Sequence, residues 1–307
     1  MSDRNALPSW ARASLTLWMI AAAALFVIAP PPPDPPATAT DDEVLVRALA
    51  EVVADNHEWQ ARRGDLTIPW AEARGHLAIV IDDVGRELHW LDELLALRFP
   101  LSFSVLPGAV YAPGAQLRIL ADPRRPRDLL LHLPMEPLNP AAMDGEGEVF
   151  LRAGDDPAAL QRKLNAALLR VPTAVGINNH MGSRLTADRS AMDAIMPLIA
   201  ARGLYFLDSL TGPGSVAHEA AAAAGIPAAR RRVFLDHEPS AEAIAERLAE
   251  ASDLSKETPV VAIGHPSQEL VDVLRAALPR LHAEGVGVYA LGEVIARESS
   301  SHADPRG

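Results

Sequence analysis

Residues 77–85 have the sequence LAIVIDDVG, in which five apolar residues run directly into two aspartates. A continuous apolar run of this length predicts a strand that is buried on both faces. Strands of that kind belong to parallel sheets whose two faces are covered by helices. Asp82 and Asp83 then stand at the carboxyl end of the strand, where the functional groups of such folds gather.

The same alternation of short apolar runs and longer amphipathic runs continues along the chain. It predicts strands at 77–84, 101–106, 128–133, 174–178, 204–208, 232–236, 259–264 and 287–291. It predicts helices at 87–97, 112–120, 157–170, 190–202, 216–224, 241–251 and 268–284. Alternating strands and helices indicate a parallel sheet. Seven or eight such units favour a distorted (β/α) barrel of the α/β class over an open doubly wound sheet.

Composition excludes several classes of function. The 307 residues include 28 basic and 40 acidic ones, a formal net charge of −12, and no cysteine. The acidic balance argues against a nucleic-acid partner, since phosphates need a basic surface. Without cysteine the chain has no disulfide, thiolate metal site or cysteine nucleophile. No dinucleotide or Walker motif opens a predicted helix, so nucleotide binding has no support.

The N-terminal region has the pattern of an export segment. Arg4 and Arg12 precede an uncharged apolar run at 13–29, and a proline-rich stretch follows it. The run is short for a membrane span, which needs about 20 residues. A cleaved signal and an uncleaved anchor both stay open, and either one places the rest of the chain in the periplasm or on the outer face of the inner membrane.

Four regions follow from these patterns. We predict an export signal or membrane anchor with a proline-rich spacer over 1–40, and a helical lead-in over 41–74. The barrel is expected over 75–297 and a polar tail over 298–307.

Polar side chains follow nearly every predicted strand at its carboxyl end. Hydrophobic strands do not need such groups, and burying them is costly unless they are paired or bind a metal. In a (β/α) barrel these ends meet at one face. The groups are Asp82, Asp83, His132, Glu136, Asn178, Asn179, His180, Asp208, Asp236, His237 and His265.

These residue types indicate metal-assisted acid–base chemistry. Of two adjacent carboxylates, one can ligate a cation while the other takes a proton from water. Histidines supply the neutral nitrogen ligands that zinc and similar ions prefer. His265, between Gly264 and Pro266, suits a general acid. For Asp208 a purely structural role, such as an ion pair with Arg184, stays open.

The motifs IVIDDVG, FSVLP, LHLPMEP, GINNHMGSRLT, FLDS and IGHP, in this order, resemble those of the divergent polysaccharide deacetylase family, which is related to the NodB-type carbohydrate esterases. The resemblance covers about residues 75–297. It implies a distorted (β/α) barrel and an exported protein. It also implies hydrolysis of N-acetyl groups on an envelope polysaccharide or peptidoglycan fragment, with a divalent metal that we expect to be zinc.

Roles are carried over by position. Asp82 resembles the catalytic base of the family, Asp83 its first metal ligand and His265 the general acid that protonates the leaving amine. Ordinary members place two metal-binding histidines as H-x-x-x-H, a spacing that this chain lacks. We therefore predict a metal set of Asp83, His132 and His180. The secondary candidates are Glu136 as a substitute ligand, Asn179, Arg184, Asp208 and Asp236.

Two other functions stay open. The missing H-x-x-x-H pattern favours a non-catalytic glycan-binding or scaffolding protein of the envelope, built on a deacetylase-like barrel. Paired carboxylates on a barrel also suit a glycosidase, in which Asp82 and Asp236 would stand about 5–10 Å apart across the sugar. A chelator separates that reaction from metal-dependent hydrolysis.

Overall fold

The computed structural model describes residues 64–143 and 149–303. The predicted export segment at 13–29, the spacer and the lead-in up to residue 63 lie outside the described residues. Between residues 64 and 74 the structure has one 3₁₀ turn, Trp70–Glu72, and no α-helix. None of the helices in the described ranges is long and apolar enough to cross a membrane.

Parallel strands form one curled sheet. Its order is β6-β5-β4-β3-β2-β1-β8-β7, and β9 pairs with the first residues of β1. The strands described are β1 (Gly75–Val84), β2 (Ser102–Val105), β3 (Leu129–Met135), β4 (Gly176–Met181), β5 (Tyr205–Asp208), β6 (Ala228–Arg230), β7 (Val233–Phe234), β8 (Val260–Gly264) and β9 (Val286–Val288).

The chain itself closes the curled sheet. Strands β6 and β7 stand at opposite ends of the sheet order, yet only Arg231 and Arg232 separate them in sequence. The Arg231 amide donates to the carbonyl of Asp208 in β5, and the Arg232 amide donates to the carbonyl of Val261 in β8. The result is the distorted (β/α) barrel that the alternation of elements predicts.

Helices cover the outer face of the sheet. Four begin at a residue whose side chain caps the first turn, as the sequence indicates for Asp156 and Ser240 and as Asp188 and Ser267 also do. The helices are α1 (His89–Ala96), α2 (Ala112–Ile119), α3 (Pro157–Arg170), α4 (Arg189–Ala200), α5 (Ala217–Ala223), α6 (Ala241–Ser255), α7 (Gln268–Ala283) and α8 (Leu291–Ala303).

Helix α8 fills the amino-end face of the barrel. Its Leu291, Val294 and Ile295 are buried in one cluster with interior side chains of the strands, such as Val80 and Leu130. The amide of Leu291 donates to Ser102 at the start of β2. The carboxyl-end face, where the polar groups gather, is thereby left as the open end.

Three elements differ from prediction. Strand β6 was not predicted, because its sequence, AAR, carries no apolar run. Helix α8 begins at Leu291, the last residue of the strand predicted at 287–291. It continues through residues 298–303, which were predicted to belong to the polar tail. Its apolar residues at 291, 294 and 295 have helical spacing. Strand β7 is shorter than its prediction of 232–236, as the chain turns at Leu235.

Candidate active site and metal centre

A cavity of about 500 Å³ opens at the carboxyl ends of the strands. It brings together the two residues predicted as catalytic and the three predicted as the metal set, although they come from β1, β3, β4 and the turn after β8. Its lining includes Asp82, Asp83, His132, His180 and His265.

Both aspartates reach this cavity because the backbone leaves the regular strand between them. Asp83 has φ 55°, a left-handed conformation that a residue with a side chain adopts at a cost. The pairing of β1 with β2 shifts register between Ile81 and Val84, which is a bulge. In a regular strand the two side chains would point to opposite faces.

Asp83, His132 and His180 place one ligand atom each in a compact group. Asp83 Oδ1 lies 3.1 Å from His132 Nε2 and 3.0 Å from His180 Nδ1, and the two nitrogens are 3.2 Å apart. Asp83 Oδ1 is buried and has no partner in hydrogen-bond geometry. An orphaned carboxylate oxygen beside two imidazole nitrogens is a donor set for a divalent cation.

The spacing fits such an ion. Ligands that bind zinc at about 2.0–2.2 Å stand roughly 3 Å or slightly more from one another. The electrostatics agree with this, because burial would lower the pKa of His132, yet the charges of Asp82 and Asp83 raise it. Burial lowers the pKa of His180, which favours the neutral ring that a metal ligand needs.

Glu136 lies outside this group, which corrects its prediction as a substitute ligand. Its Oε2 accepts a hydrogen bond from the Ala153 amide at 2.9 Å, and its Oε1 is 3.6 Å from Arg184 Nε. Glu136 and Arg184 therefore hold the segment after β3 to the rim of β4. Neither residue lines the cavity.

Asn178 connects the metal cluster to the neighbouring carboxylate. Its Oδ1 accepts hydrogen bonds from His132 Nδ1, at 2.9 Å, and from the Ser104 hydroxyl. Its Nδ2 donates to Asp82 Oδ1 at 2.8 Å and to Ser209 Oγ at 3.1 Å. The bond to His132 keeps the proton on Nδ1, so Nε2 is free to bind a metal. Asn178 is fully buried, and the sequence does not identify it as a catalytic or metal-binding residue.

The two adjacent aspartates acquire opposite properties. Burial is the largest effect on Asp82 and raises its pKa above the ordinary value. Burial also acts on Asp83, but the nearby rings of His132 and His180 outweigh it and hold the pKa of Asp83 far below the usual range. Asp83 is thus a permanent anion, while Asp82 is suited to accept a proton.

Across the cavity His265 is paired with Asp236. The Asp236 carboxylate accepts hydrogen bonds from the His265 amide at 2.7 Å and from His265 Nδ1 at 3.2 Å. Burial alone would lower the pKa of His265, but the bond and charge of Asp236 raise it to about 9. At neutral pH the ring is therefore protonated and can act as an acid. The sequence identified both residues but not their pairing.

The remaining predicted residues support the walls. Asp208 is buried and accepts from Ser215 Oγ and the Leu210 amide, both at 2.9 Å. Its ion pair is with Arg230, at 3.3 Å, and not with Arg184. Asn179 Oδ1 accepts from the Ser209 amide at 2.9 Å.

Arg231 is a further residue that sequence reasoning left aside. It lines the cavity, and its guanidinium donates to the carbonyls of Ser209 and Leu210, each at 2.7 Å. The same group lies 4.8 Å from the centre of the Phe234 ring. Arg231 lies in a run of three arginines at 230–232, and nothing in the sequence distinguishes it from its two neighbours.

A curled (β/α) barrel with an Asp–His–His cluster and a carboxylate–imidazole pair at one face has the architecture of a polysaccharide-deacetylase-type hydrolase. Residues 79–295 match the family described as divergent polysaccharide deacetylase. The match covers more than half of the chain, so the chain belongs to this family.

Curated relatives come from two bacteria. The chain is 36% identical over 202 residues to the uncharacterized protein YibQ of Escherichia coli K12, and the match covers 66% of this chain but 61% of that protein. It is 33% identical over 227 residues to an uncharacterized protein of Haemophilus influenzae, covering 74% and 79% of the two chains.

A solved structure shares the fold. The crystal structure of uncharacterized protein ATU2773 from Agrobacterium tumefaciens matches with a TM-score of 0.63 at 21% identity, and covers 75% of this chain and 93% of that one. The family membership and this fold bear out the prediction of a deacetylase-type barrel.

Asn178→Ala is expected to weaken divalent-metal binding by the cluster of Asp83, His132 and His180 by about 10–100-fold, because it removes the partner that fixes the His132 tautomer. Competition with a fluorescent chelator measures the affinity. Asn179→Ala is the matched control, since Asn179 touches neither His132 nor Asp82 and its removal is expected to leave the affinity close to that of the parent. Equal affinities in the parent and the Asn178 variant would contradict this role.

Asp236→Asn is expected to lower the pKa of His265 from about 9 toward the ordinary 6.5. Because the pKa is raised on folding, the pair stabilises the protein fully below about pH 6.5, and this contribution is lost as the pH rises through about 9. NMR titration of the ring measures the pKa. Asp272→Asn, at an exposed carboxylate on α7, is the control and is expected to leave the titration unchanged.

Proposed function

We propose that this protein is a metal-dependent amide hydrolase that removes N-acetyl groups from an envelope polysaccharide or a peptidoglycan-type sugar. The observation that carries the proposal is a single cavity that holds three kinds of group. A metal-ligand cluster of Asp83, His132 and His180 stands beside Asp82, which has no cationic partner within 3.5 Å among the described residues. His265, which is hydrogen-bonded to Asp236, lines the same cavity.

Each group has a distinct task in amide hydrolysis. A divalent cation held by the cluster, with zinc the expected ion, supplies Lewis acidity that polarises a carbonyl and lowers the pKa of water. Asp82 accepts the proton of the attacking water, since burial raises its pKa. Asn178 holds that carboxylate in place. His265, protonated at neutral pH, donates its proton to the leaving amine.

The geometry disfavours a glycosidase. Hydrolysis of a glycosidic bond needs a second catalytic carboxylate besides Asp82. Asp236, the predicted partner of Asp82, is instead bound by the His265 amide and ring. The histidines around Asp83 would also lack a task. A non-catalytic glycan-binding protein remains the second candidate, because the metal histidines lie on two strands and not in an H-x-x-x-H segment.

Variants of adjacent aspartates separate metal binding from proton transfer. Asp83→Asn and His132→Ala are expected to lose the metal, whereas Asp82→Asn is expected to keep it and to lose about 10²–10⁴-fold in rate. Metal content by mass spectrometry and acetate release from chito-oligosaccharides and peptidoglycan fragments are the two measurements. Asp253→Asn, at an exposed carboxylate on α6, is the control for a simple loss of charge.

The outcomes distinguish the three functions. Acetate release that stops with chelator and in Asp82→Asn supports the hydrolase. Glycan binding without acetate release, unaffected by Asp82→Asn, indicates the non-catalytic protein. Cleavage of glycosidic bonds that resists chelator indicates a glycosidase.

Export is part of the proposal, and the apolar run at 13–29 after Arg4 and Arg12 supports it. Alkaline phosphatase, whose activity depends on disulfides formed in the periplasm, is fused after residue 64. The fusion is expected to be active. It is expected to become inactive when Ala22 and Leu25 are both replaced by arginine, because the two charges interrupt the apolar run. The mass of the mature fusion shows whether the N-terminal segment is cleaved as a signal or kept as an anchor. If the fusion without the two arginines is inactive, export is contradicted.

A further inference from the structure

The two oxygens of the Asp83 carboxylate have different neighbours. Oδ1 lies 3.1 Å from His132 Nε2 and 3.0 Å from His180 Nδ1, and it has no partner in hydrogen-bond geometry. Oδ2 lies 2.8 Å from Arg86 Nη1, with which it forms an ion pair. One oxygen therefore faces the proposed metal position, and the other faces a guanidinium.

The backbone of the turn after β1 holds Arg86 within reach of this oxygen. Gly85 has φ 110°, and a side-chain carbon at this position would lie 3.1 Å from Cβ of Ala109. The Gly85 carbonyl accepts a hydrogen bond from the Tyr111 amide at 2.9 Å. The segment between β2 and α2 thus anchors the turn that places Arg86 three residues after Asp83.

The number of ligand atoms decides whether a metal centre can also bind substrate. A catalytic zinc site has three protein ligands and keeps a further position open. Asp83, His132 and His180 supply three ligand atoms when Asp83 binds through one oxygen. A carboxylate that binds through both oxygens occupies one position more. Because the guanidinium of Arg86 engages Oδ2 in a charge-assisted contact, it opposes this second mode.

We propose that Arg86 is a positioning residue of the metal centre, which restricts Asp83 to binding through one oxygen and so leaves a position open for solvent and the substrate carbonyl. This role rests on the proposed function and deepens it, since Arg86 itself lies outside the cavity lining. The Arg86 side chain is 42% exposed. Ion pairs at such exposure contribute little to stability, so replacing Arg86 is expected to leave the fold intact.

The test uses the full-length protein with cobalt(II), whose visible absorption weakens as its coordination number rises toward six. Arg86→Met keeps the length of the side chain but removes the charged donor, so that Asp83 can bind through both oxygens. The absorption per bound cobalt is expected to weaken severalfold in this variant, with the metal content unchanged. Arg86→Lys keeps a charged donor and is expected to restore the parent spectrum.

Arg275→Met is the matched control. Arg275 pairs with Asp272 across the same three-residue spacing, at 3.1 Å, on the exposed surface of α7. Its replacement removes an equivalent ion pair far from the metal ligands in sequence, and is expected to leave the cobalt spectrum unchanged.

The spectrum and the reaction are measured separately, so their failures can be distinguished. Acetate release is expected to fall about 10–100-fold in Arg86→Met while cobalt stays bound. If no variant and no parent releases acetate, the proposed function fails, and the role of Arg86 stands only if the spectrum changes in Arg86→Met and returns in Arg86→Lys. An unchanged spectrum in Arg86→Met, or loss of its cobalt, would overturn the role of Arg86 alone. A parent that binds no cobalt would overturn both.

Discussion

Consecutive residues of a β-strand point to opposite faces, and this constraint governs the whole site. Asp82 and Asp83 both face the cavity only because Asp83 adopts a left-handed conformation at a bulge in β1. The described residues include two other non-glycine positions with positive φ, Met181 and Leu210, and both line the same cavity. Backbone strain is thus concentrated where side chains must converge, and the surrounding barrel holds it in place.

If Asp82 and Asp83 only pointed into the same cavity, their carboxylates would be chemically equivalent. Their different surroundings give them different pKa values. Asp83 faces two imidazoles and stays ionised, whereas Asp82 faces the neutral amide of Asn178 and its pKa rises with burial. A positively charged residue in place of that amide would favour the ionised form of Asp82 and weaken its use as a base. Pairs of titratable groups whose surroundings give them very different pKa values are typical of acid–base catalytic sites.

The sequence predicted the parts of this protein that follow from local pattern. Apolar runs located eight strands, and the polar residues after them located the ligands, because strand ends meet by topology. Asn178 is not among the predicted catalytic or metal-binding residues, since its importance lies in four partners on four other strands or their ends, which no spacing along the chain encodes. Glu136 was overvalued for the reverse reason. Its position four residues after His132 imitates a spacing motif, while its carboxylate binds the Ala153 amide.

The register between β3 and β4 explains how two histidines far apart in sequence replace an H-x-x-x-H segment. His132 is opposite Asn178, and His180 stands two residues further along β4, so Asn178 and His180 share the face toward the cavity. The residue that orients one histidine and the residue that completes the metal set are therefore placed by the same pairing. A slip of one residue would turn both to the other face. The metal centre thus depends on the pairing of β3 with β4. A change in that pairing would disrupt both the barrel and the arrangement of the metal ligands.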